Sequence, residues 1–514
     1  MKFAHLFVVF VALLLAHKSE NARILGVFPT PSISHQVVFH ALVKDLAARG
    51  HHLTVLTTDS LKIDNPNVTE INLHDSYEVF TKGLNFVDYK ESGGDEDNIL
   101  AAFMPVLIDV VDQQLSHPAV KNIIENKGNQ TFDVVIVEHL VYWSTLAFAE
   151  IYDCPIIGMT SLDTMSFLHE AIGNEANPVI HPEIFFPYTH GQLSFAERWK
   201  SLKYYLRYKM FSHDVYERDY TAQIRKHFPT VKESIERLNE RVQLIMVNTH
   251  PAMGFIRPIL PNTIQLGFLH IKPPSPLPNS DLKTFLDHAK NGVIYMSLGS
   301  NVKSKDLSSK ILATFLNVFR NLTYDVLWKF EADNLPNKPP NVFISKWLPQ
   351  SDLLAHPSIK LFITQGGQQS MEEAIDRTVP MIVIPFLGDQ DANAKRMVQK
   401  GIGFHLELNT LTESKLLGAI TEMLKPIYKQ NVQTLKELVN DQPMTSREKA
   451  VWWTEYVIRH KGARHLEYPG RAVPFYQKYC LDFISIALCC AGLIFAVVFA
   501  LFRKCFRLKK SKIE

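Results

Sequence analysis

The chain has 514 residues, 46% of them hydrophobic, and its 54 Lys and Arg against 52 Asp and Glu leave a net charge of +2. That balance gives no support to a nucleic-acid partner, while the apolar content lets a body of roughly 450 residues hold its own core, most naturally as two domains. Four of the five cysteines, Cys480, Cys489, Cys490 and Cys505, sit at or beyond a C-terminal apolar run, which leaves Cys154 alone in the body and excludes a disulfide framework there. The 21 histidines are scattered and no CxxC or HExxH pattern occurs, so no metal is expected. His51-His52 reads as the end of a helix-turn rather than a zinc site.

Residues 6–16 form an apolar stretch behind Lys2, too short for a comfortable membrane span, which predicts a signal peptide over 1–22 and a mature chain that starts in a secretory lumen. A strand over 23–29, a helix over 34–48 closed by Gly50, and a strand over 52–57 make a βαβ start, and 132–138 reads as a further buried strand. Residues 65–127 and 160–241 carry no motif tied to chemistry. Within them, 193–211 alternates bulky apolar side chains with Arg198, Lys200, Lys203, Arg207 and Lys209, as interfacial helices do. An ordinary surface helix with snorkelling bases has the same pattern. A Pro-rich joint, HIKPPSPLPNS over 270–280, then interrupts the alternation as interdomain linkers do.

Beyond the joint, strands are predicted over 292–298, 324–330 and 342–346, and two more, 361–364 and 380–385, flank a helix over 368–376. Each half therefore reads as one doubly wound α/β domain, whose ligands lie beyond the carboxyl ends of the strands. Residues 450–466 are amphipathic and helical in pattern. The apolar run 483–502 has about the 20 residues needed to cross a bilayer, and Arg503, Lys504, Arg507, Lys509, Lys510 and Lys512 behind it fix that end in the cytosol. Sequons at Asn67, Asn129 and Asn321 would then be lumenal.

The densest chemistry lies in 347–393, which reads WLPQ, LLAHP, FITQGGQQSMEEA, VPMIVIPF and DQDANA. Amides following Gly366 and Gly367 would point outward at a helix N-terminus, where the macrodipole favours an anion such as a diphosphate. Gly-Gly before a helix is also what a tight turn at positive φ requires, and the neighbours decide between the two. Trp347 can stack on a nucleobase or fill a core, Glu373 can accept both hydroxyls of a ribose, and Asp389 with Gln390 can bind hexose hydroxyls or form a solvated turn. Together they outline a nucleotide sugar.

This spacing resembles the signature of the UDP-glycosyltransferases, which move a sugar from a UDP-sugar to small lipophilic acceptors. The resemblance implies a GT-B fold: two Rossmann-like doubly wound α/β domains facing a cleft, followed by a C-terminal transmembrane helix. The implied order is signal peptide (1–22), acceptor-binding domain (23–270), linker (271–280), UDP-sugar-binding domain (281–445), helices returning to the first domain (446–478), membrane span (481–502) and cytosolic basic tail (503–514). The unassigned middle segments would supply the acceptor pocket. The terminal KSKIE resembles dilysine signals of endoplasmic reticulum proteins, which makes the expected product a single-pass type I protein of that membrane with its body in the lumen.

On the family pattern His35, in FPTPSISHQ, is the general base, and its place in the first turn of a helix keeps the imidazole neutral. The carboxylate that orients it falls on Glu138, where the family has aspartate, so its reach differs by one methylene. Asp133, at the other end of that strand, is read as structural. Trp347 and Gln350 are assigned to the uracil, Glu373 to the ribose, Gly366 to Ser370 with Ser300 to the phosphates, and Asp389 with Gln390 to the sugar. Gln365 stands where family members commonly have histidine; it can donate a hydrogen bond but carries no charge, which leaves more of the leaving-group stabilisation to the helix N-terminus, Ser300 and Ser370. Thr378 replaces a usual glycine and reads as a packing difference.

The implied reaction is single-step displacement with inversion, with a UDP-sugar as co-substrate, no cofactor, and a lipophilic alcohol or phenol as acceptor. The body and tail look closer to the invertebrate branch, which generally uses UDP-glucose. A homo-oligomer is compatible with the reading. The alternative is a family member that binds UDP-sugar or lipophiles with little or no turnover, suggested by Gln365 and Glu138.

Overall fold

A computed structural model describes residues 21–82, 85–93, 99–186, 193–254, 256–278 and 280–510. Nearly all of the expected signal peptide and the end of the KSKIE tail lie outside these residues. The chain divides into two compact units, 1–466 and 467–514.

The first unit holds two parallel sheets. In chain order the first comprises β1 (Arg23–Phe28), β2 (His52–Thr57), β3 (Val68–Asn72), β4 (Val134–Glu138), β5 (Ile156–Thr160), β6 (Val242–Val247) and β7 (Thr263–Gln265), laid side by side as β3-β2-β1-β4-β5-β6-β7. The second comprises β8 (Val293–Ser297), β9 (Asp325–Lys329), β10 (Val342–Ser345), β11 (Ile359–Thr364), β12 (Met381–Val383) and β13 (Gly403–His405), in the order β10-β9-β8-β11-β12-β13. Strands such as VVIVE and IIGMT are buried along their whole length, because a parallel sheet is covered by helices on both faces. In each sheet the chain winds outward one way and then returns to wind the other way. The reversal falls between β1 and β4 in the first sheet and between β8 and β11 in the second, and ligands of such sheets bind beyond the strand ends at these points.

Helix α1 (Ile33–Ala48) follows β1 and packs Val38, Phe39, Leu42 and Leu46 onto the first sheet, with Phe39 stacked on Phe28 at 4.5 Å. Helix α2 (Phe86–Glu91) leaves the first half of the chain and buries Val87 in the core of the second sheet. Helix α3 (Phe195–Val215) takes in all but the first two residues of the expected interfacial segment and runs beyond its end. Helices α4 (Gln350–Leu354), α5 (Gln368–Asp376) and α6 (Gln390–Gln399) carry the signature residues of the second half. The expected helix over 450–466 is α7 (Ser446–Arg459), which starts earlier because Thr445 and Glu448 form a capping box, and which ends before Gly462 at φ +122°. Its Ala450, Val451 and Val457 join the core of the first sheet beside Ile24 and Leu42. His51 closes the turn after α1, its Nδ1 accepting from the Ala22 amide at 3.2 Å.

The strand expected over 380–385 shortens to Met381–Val383 because the prolines at both ends lack an amide to pair. The Pro-rich joint contains no helix or strand among its described residues, yet it is docked rather than loose. The Ser275 amide donates to Asp352 Oδ1 at 2.8 Å, and Arg377 Nη2 donates to the Lys272 carbonyl at 2.6 Å. Among the sequons, Asn321 is exposed at the end of a helix, Asn67 is half-buried in a turn, and Asn129 ends a short 3-10 turn.

In the second unit, helix α8 (Leu481–Lys510) contains 24 residues, Leu481–Lys504, that are apolar enough to cross a membrane. At 1.5 Å per residue that stretch is about 36 Å long, against about 30 Å of hydrocarbon.

Thr378 corrects the packing expectation. Helix α5 ends in a Schellman-type turn, with the Val379 amide on the Ala374 carbonyl at 2.9 Å, and this turn puts Thr378 at φ +57°. A β-branched side chain is disfavoured there, so the usual glycine answers a backbone need. Thr378→Gly is predicted to stabilise the full chain by about 1 kcal/mol, since relief of left-handed strain exceeds the entropy cost of glycine. Thermal unfolding in detergent checks it; an unchanged or lower midpoint contradicts this account.

Candidate active site

Both switch points open toward each other. Asn301, after β8, donates through Nδ2 to Ser32 Oγ, just ahead of α1, at 3.1 Å. Gln369 on α5 donates through Nε2 to the Ser161 carbonyl at 2.6 Å, and the neighbouring Gln368 amide is bonded to the Asn248 carbonyl.

On the first side, His35 sits in the opening turn of α1, with Nδ1 2.9 Å from Glu138 Oε1 at the end of β4. The Glu138 carboxylate is fully buried and is held by the Thr30 amide at 3.0 Å and the Thr30 hydroxyl at 2.7 Å; Tyr142 bonds the same hydroxyl at 2.8 Å. Ser161 Oγ lies 2.7 Å from His35 Nδ1. With Nδ1 engaged twice, 19% of the side chain remains exposed. Thr30, Tyr142 and Ser161 were not among the expected residues. Ser161 ends the apolar run PIIGMTS, whose period and length would have marked β5. Asp133 is structural as expected, accepting from the Arg23 amide at 2.7 Å.

On the second side, a cavity of about 360 Å³ is lined by Ser300, Trp347, Gln350, Gln365, Gly367, Ser370 and Glu373, together with Ile33 and Ser34 from the first half. Trp347 is 62% exposed, with Lys329 Nζ 5.6 Å from its ring centre, so it is a surface plate rather than a core residue. Both side-chain donors of Gln350 are already engaged. Its Oε1 accepts from Tyr295 at 3.0 Å, and its Nε2 donates to Ser370 at 2.9 Å and Glu373 at 2.7 Å. Gly367 caps α5, and Gly366 stands behind it at φ +88°, where a Cβ would come within 2.5 Å of Val383. Gln365 is 9% exposed, and its Oε1 has no hydrogen-bond partner among the described residues.

Three expected residues do not line this cavity. Gly366 is buried behind the loop. Asp389 Oδ2 accepts from Asn393 at 2.7 Å, and Gln390 Oε1 accepts from the Phe386 and Leu387 amides at 2.8 and 3.1 Å. Both open α6 against the Gly366 turn. Burial raises the Asp389 pKa, opposed by Asn393, Arg396 and His35, which puts this carboxylate within electrostatic range of the other side.

A family model described as UDP-glucoronosyl and UDP-glucosyl transferase matches residues 23–513. The chain belongs to the UDP-glycosyltransferase family. It is 33% identical to UDP-glucosyltransferase 2 of Dactylopius coccus over 95% of this chain and 94% of that protein. It is likewise 33% identical to an ecdysteroid UDP-glucosyltransferase of Spodoptera littoralis nuclear polyhedrosis virus, over 92% and 95%. UDP-glucuronosyltransferase 2B15 of Rattus norvegicus is 30% identical, over 95% and 93%. The fold is shared with the glycotransferase of kitacinnamycin, at 19% identity with a TM-score of 0.57, over 86% of this chain and 99% of that one. As a UDP-glycosyltransferase of GT-B fold, the protein transfers sugar from a UDP-sugar donor, and its family implies an acceptor as second substrate.

Two features of this UDP-glycosyltransferase lie outside the sequence reading. Asp391, His405 and Glu407 bring potential metal-ligand atoms within 4.8 Å of one another, but Lys90 of α2 lies 3.6 Å from Asp391 and 3.8 Å from Glu407, so this cluster has a cation of its own. Near this cavity's helix α5, Glu372 is buried with His270 of the Pro-rich joint 3.4 Å away, and Asn248 Nδ2 lies 3.4 Å from the same carboxylate. Burial raises Glu372 and Glu373 to about 7 and lowers His270 to about 4, so the Glu372–His270 contact is between neutral groups from about pH 4 to about pH 7.

That burial gives a pH prediction. The folded chain holds the Glu372 proton more tightly than the unfolded chain, so its stabilising contribution is complete below about 4.5 and is lost as pH rises through about 7. Glu372→Gln lacks this loss, so its stability relative to wild type should climb between those pH values, by up to roughly 3 kcal/mol, and then level off. Unfolding midpoints of both proteins at pH 5 and pH 8 measure this; a difference independent of pH contradicts it.

Proposed function

We propose that this enzyme transfers a hexose, glucose by preference, from its UDP-sugar to a hydroxyl of a small lipophilic acceptor, by single displacement with inversion. The observation that carries the reading is His35 bound through Nδ1 to the buried Glu138 carboxylate, beside a cavity lined by the signature residues.

In this reading His35 Nε2 takes the acceptor proton as the acceptor oxygen attacks the anomeric carbon, and the bond from that carbon to the diphosphate oxygen breaks. Glu138 keeps the Nδ1 proton in place and stabilises the imidazolium as it forms. UDP leaves with the electron pair, and its charge is met by the amides opening α5, with Ser300 and Ser370. Gln365 presents its amide to the same region without the positive charge of a histidinium. Trp347 offers the uracil a flat face and Glu373 takes the ribose. Gln350 serves the uracil through the remaining acceptor site of its Oε1, while its Nε2 holds Glu373 and Ser370 in place. Asp389 and Gln390, opening α6, hold the sugar. Glucose is favoured because several of the most similar relatives are named UDP-glucosyltransferases. The apolar helix with its basic sequel supports anchorage in the endoplasmic reticulum membrane with the body in the lumen.

The test uses microsomes that express the full chain, given UDP-glucose, UDP-glucuronate or UDP-galactose with a panel of phenols and terpenoid alcohols. UDP-glucose should yield most product, and His35→Ala should lower it about 10³-fold with UDP binding kept. Glu138→Gln should fall less, about 10²-fold, mostly in kcat. Full activity in His35→Ala contradicts the assignment.

A further inference from the structure

Glu138 shares His35 with a second oxygen. Strand β5 pairs with β4 so that Met159 stands beside Glu138, and the chain leaving β5 brings the Ser161 hydroxyl to 2.7 Å from His35 Nδ1. Ser161 is fully buried, and its peptide is pinned from two directions. Its carbonyl accepts from Asn248 Nδ2, just after β6 of the same sheet, at 3.0 Å. It also accepts from Gln369 Nε2, on α5 of the second half, at 2.6 Å. Gln369 lines the cavity of the signature residues. The hydroxyl that touches the candidate base is therefore carried by a peptide that the second half holds.

What the hydroxyl does depends on the proton at Nδ1. With Nδ1 bare, Ser161 donates to it and Nε2 carries the ring hydrogen, so Nε2 cannot take a proton from an acceptor. The Glu138 carboxylate then faces a lone pair at 2.9 Å. With the hydrogen on Nδ1, Glu138 Oε1 and Ser161 Oγ share it, and Nε2 keeps its lone pair. A hydrogen bond to an ionised carboxylate is roughly twice as strong as one between neutral groups, so the second arrangement prevails. In it Ser161 is an acceptor beside Glu138, offered from the end of the neighbouring strand.

We propose that Ser161 is a positioning residue for His35, whose hydroxyl shares the Nδ1 hydrogen with Glu138 and aims the ring, and whose carbonyl makes that aim depend on α5. The inference rests on the reading of His35 as the base. Glu138 alone supplies the charge that favours the Nδ1 hydrogen, but one contact leaves the ring free to swing about it. A second oxygen gives the N–H a defined direction, and an error of about 1 Å in placing a reacting group can cost on the order of 10²-fold in rate. A serine that only packed the strand end would affect every acceptor alike. An aimed base matters where a proton has to be removed, and matters little for an acceptor that has already lost its proton.

The test uses the full chain in microsomes at pH 8, with whichever of UDP-glucose, UDP-glucuronate and UDP-galactose wild type turns over fastest. Two acceptors are compared: 4-nitrophenol, acidic enough to be mostly ionised at that pH, and a terpenoid alcohol, which stays protonated. Ser161→Ala should lower kcat for the alcohol about tenfold and for 4-nitrophenol less than about twofold, with UDP binding unchanged. His35→Ala should show the same bias, larger. Gln369→Ala should also be biased against the alcohol, and Ser161→Ala/Gln369→Ala should be no more biased than Ser161→Ala, since both act through one contact. Equal losses with the two acceptors in Ser161→Ala, or no loss, overturn the proposal, and the base assignment survives if His35→Ala keeps its bias. An unbiased His35→Ala overturns both. An unbiased loss in Gln369→Ala overturns the dependence on α5.

Discussion

A carboxylate buried at the end of a central strand must be fully bonded or it is costly, and Glu138 meets that condition by organising everything around it. It takes the amide and hydroxyl of Thr30, which fixes the loop leaving β1, and it takes His35, which fixes how α1 begins. The ring's Nδ1 is committed to this network. Glutamate in place of the family's usual aspartate does not prevent contact, because the 2.9 Å approach is within ordinary hydrogen-bond reach.

The same economy joins the two sheets. Ser161 touches His35 through its hydroxyl and α5 through its carbonyl, so one residue after β5 links the candidate base to the helix whose N-terminus opens on the cavity. Below it, Glu372, His270 and Asn248 bury titratable groups where the linker enters the second sheet. A linker whose first histidine is wedged there and whose backbone is bonded to Asp352 and Arg377 sets the spacing of the two halves rather than merely connecting them.

Much of this was legible in the sequence where local and global signals agree. β1, α1 and β2 are a buried run, a helical run closed by Gly50 and another buried run, and α5 was placed residue for residue by Gly366, Gly367 and its helical spacing. His35 and Glu138 could be paired only through the family pattern, since 103 residues separate them and parallel pairing of β1 with β4 brings them together. Ser161 and His270 were not legible, because a serine after a strand and a histidine before prolines carry no periodic signal. The Asp391, His405 and Glu407 cluster was hidden for a similar reason: it needs α6 and β13 side by side. Thr378 was visible as a departure but misread, because positive φ is a property of the turn and not of the side chain. Asp389 and Gln390 were found as a motif, but their present bonds to Asn393 and to the Phe386 and Leu387 amides depend on the folded loop.

In the proposed reaction His35 and Glu138 activate the acceptor itself, with no covalent sugar on the enzyme. The most direct test is the anomeric configuration of the product formed from α-linked UDP-glucose and a simple phenol, read by proton NMR before any isomerisation. A β-glucoside is predicted, because one displacement from the face opposite UDP inverts the carbon. An α-glucoside would mean retention, and with it a mechanism in which His35 is not the base for a single attack.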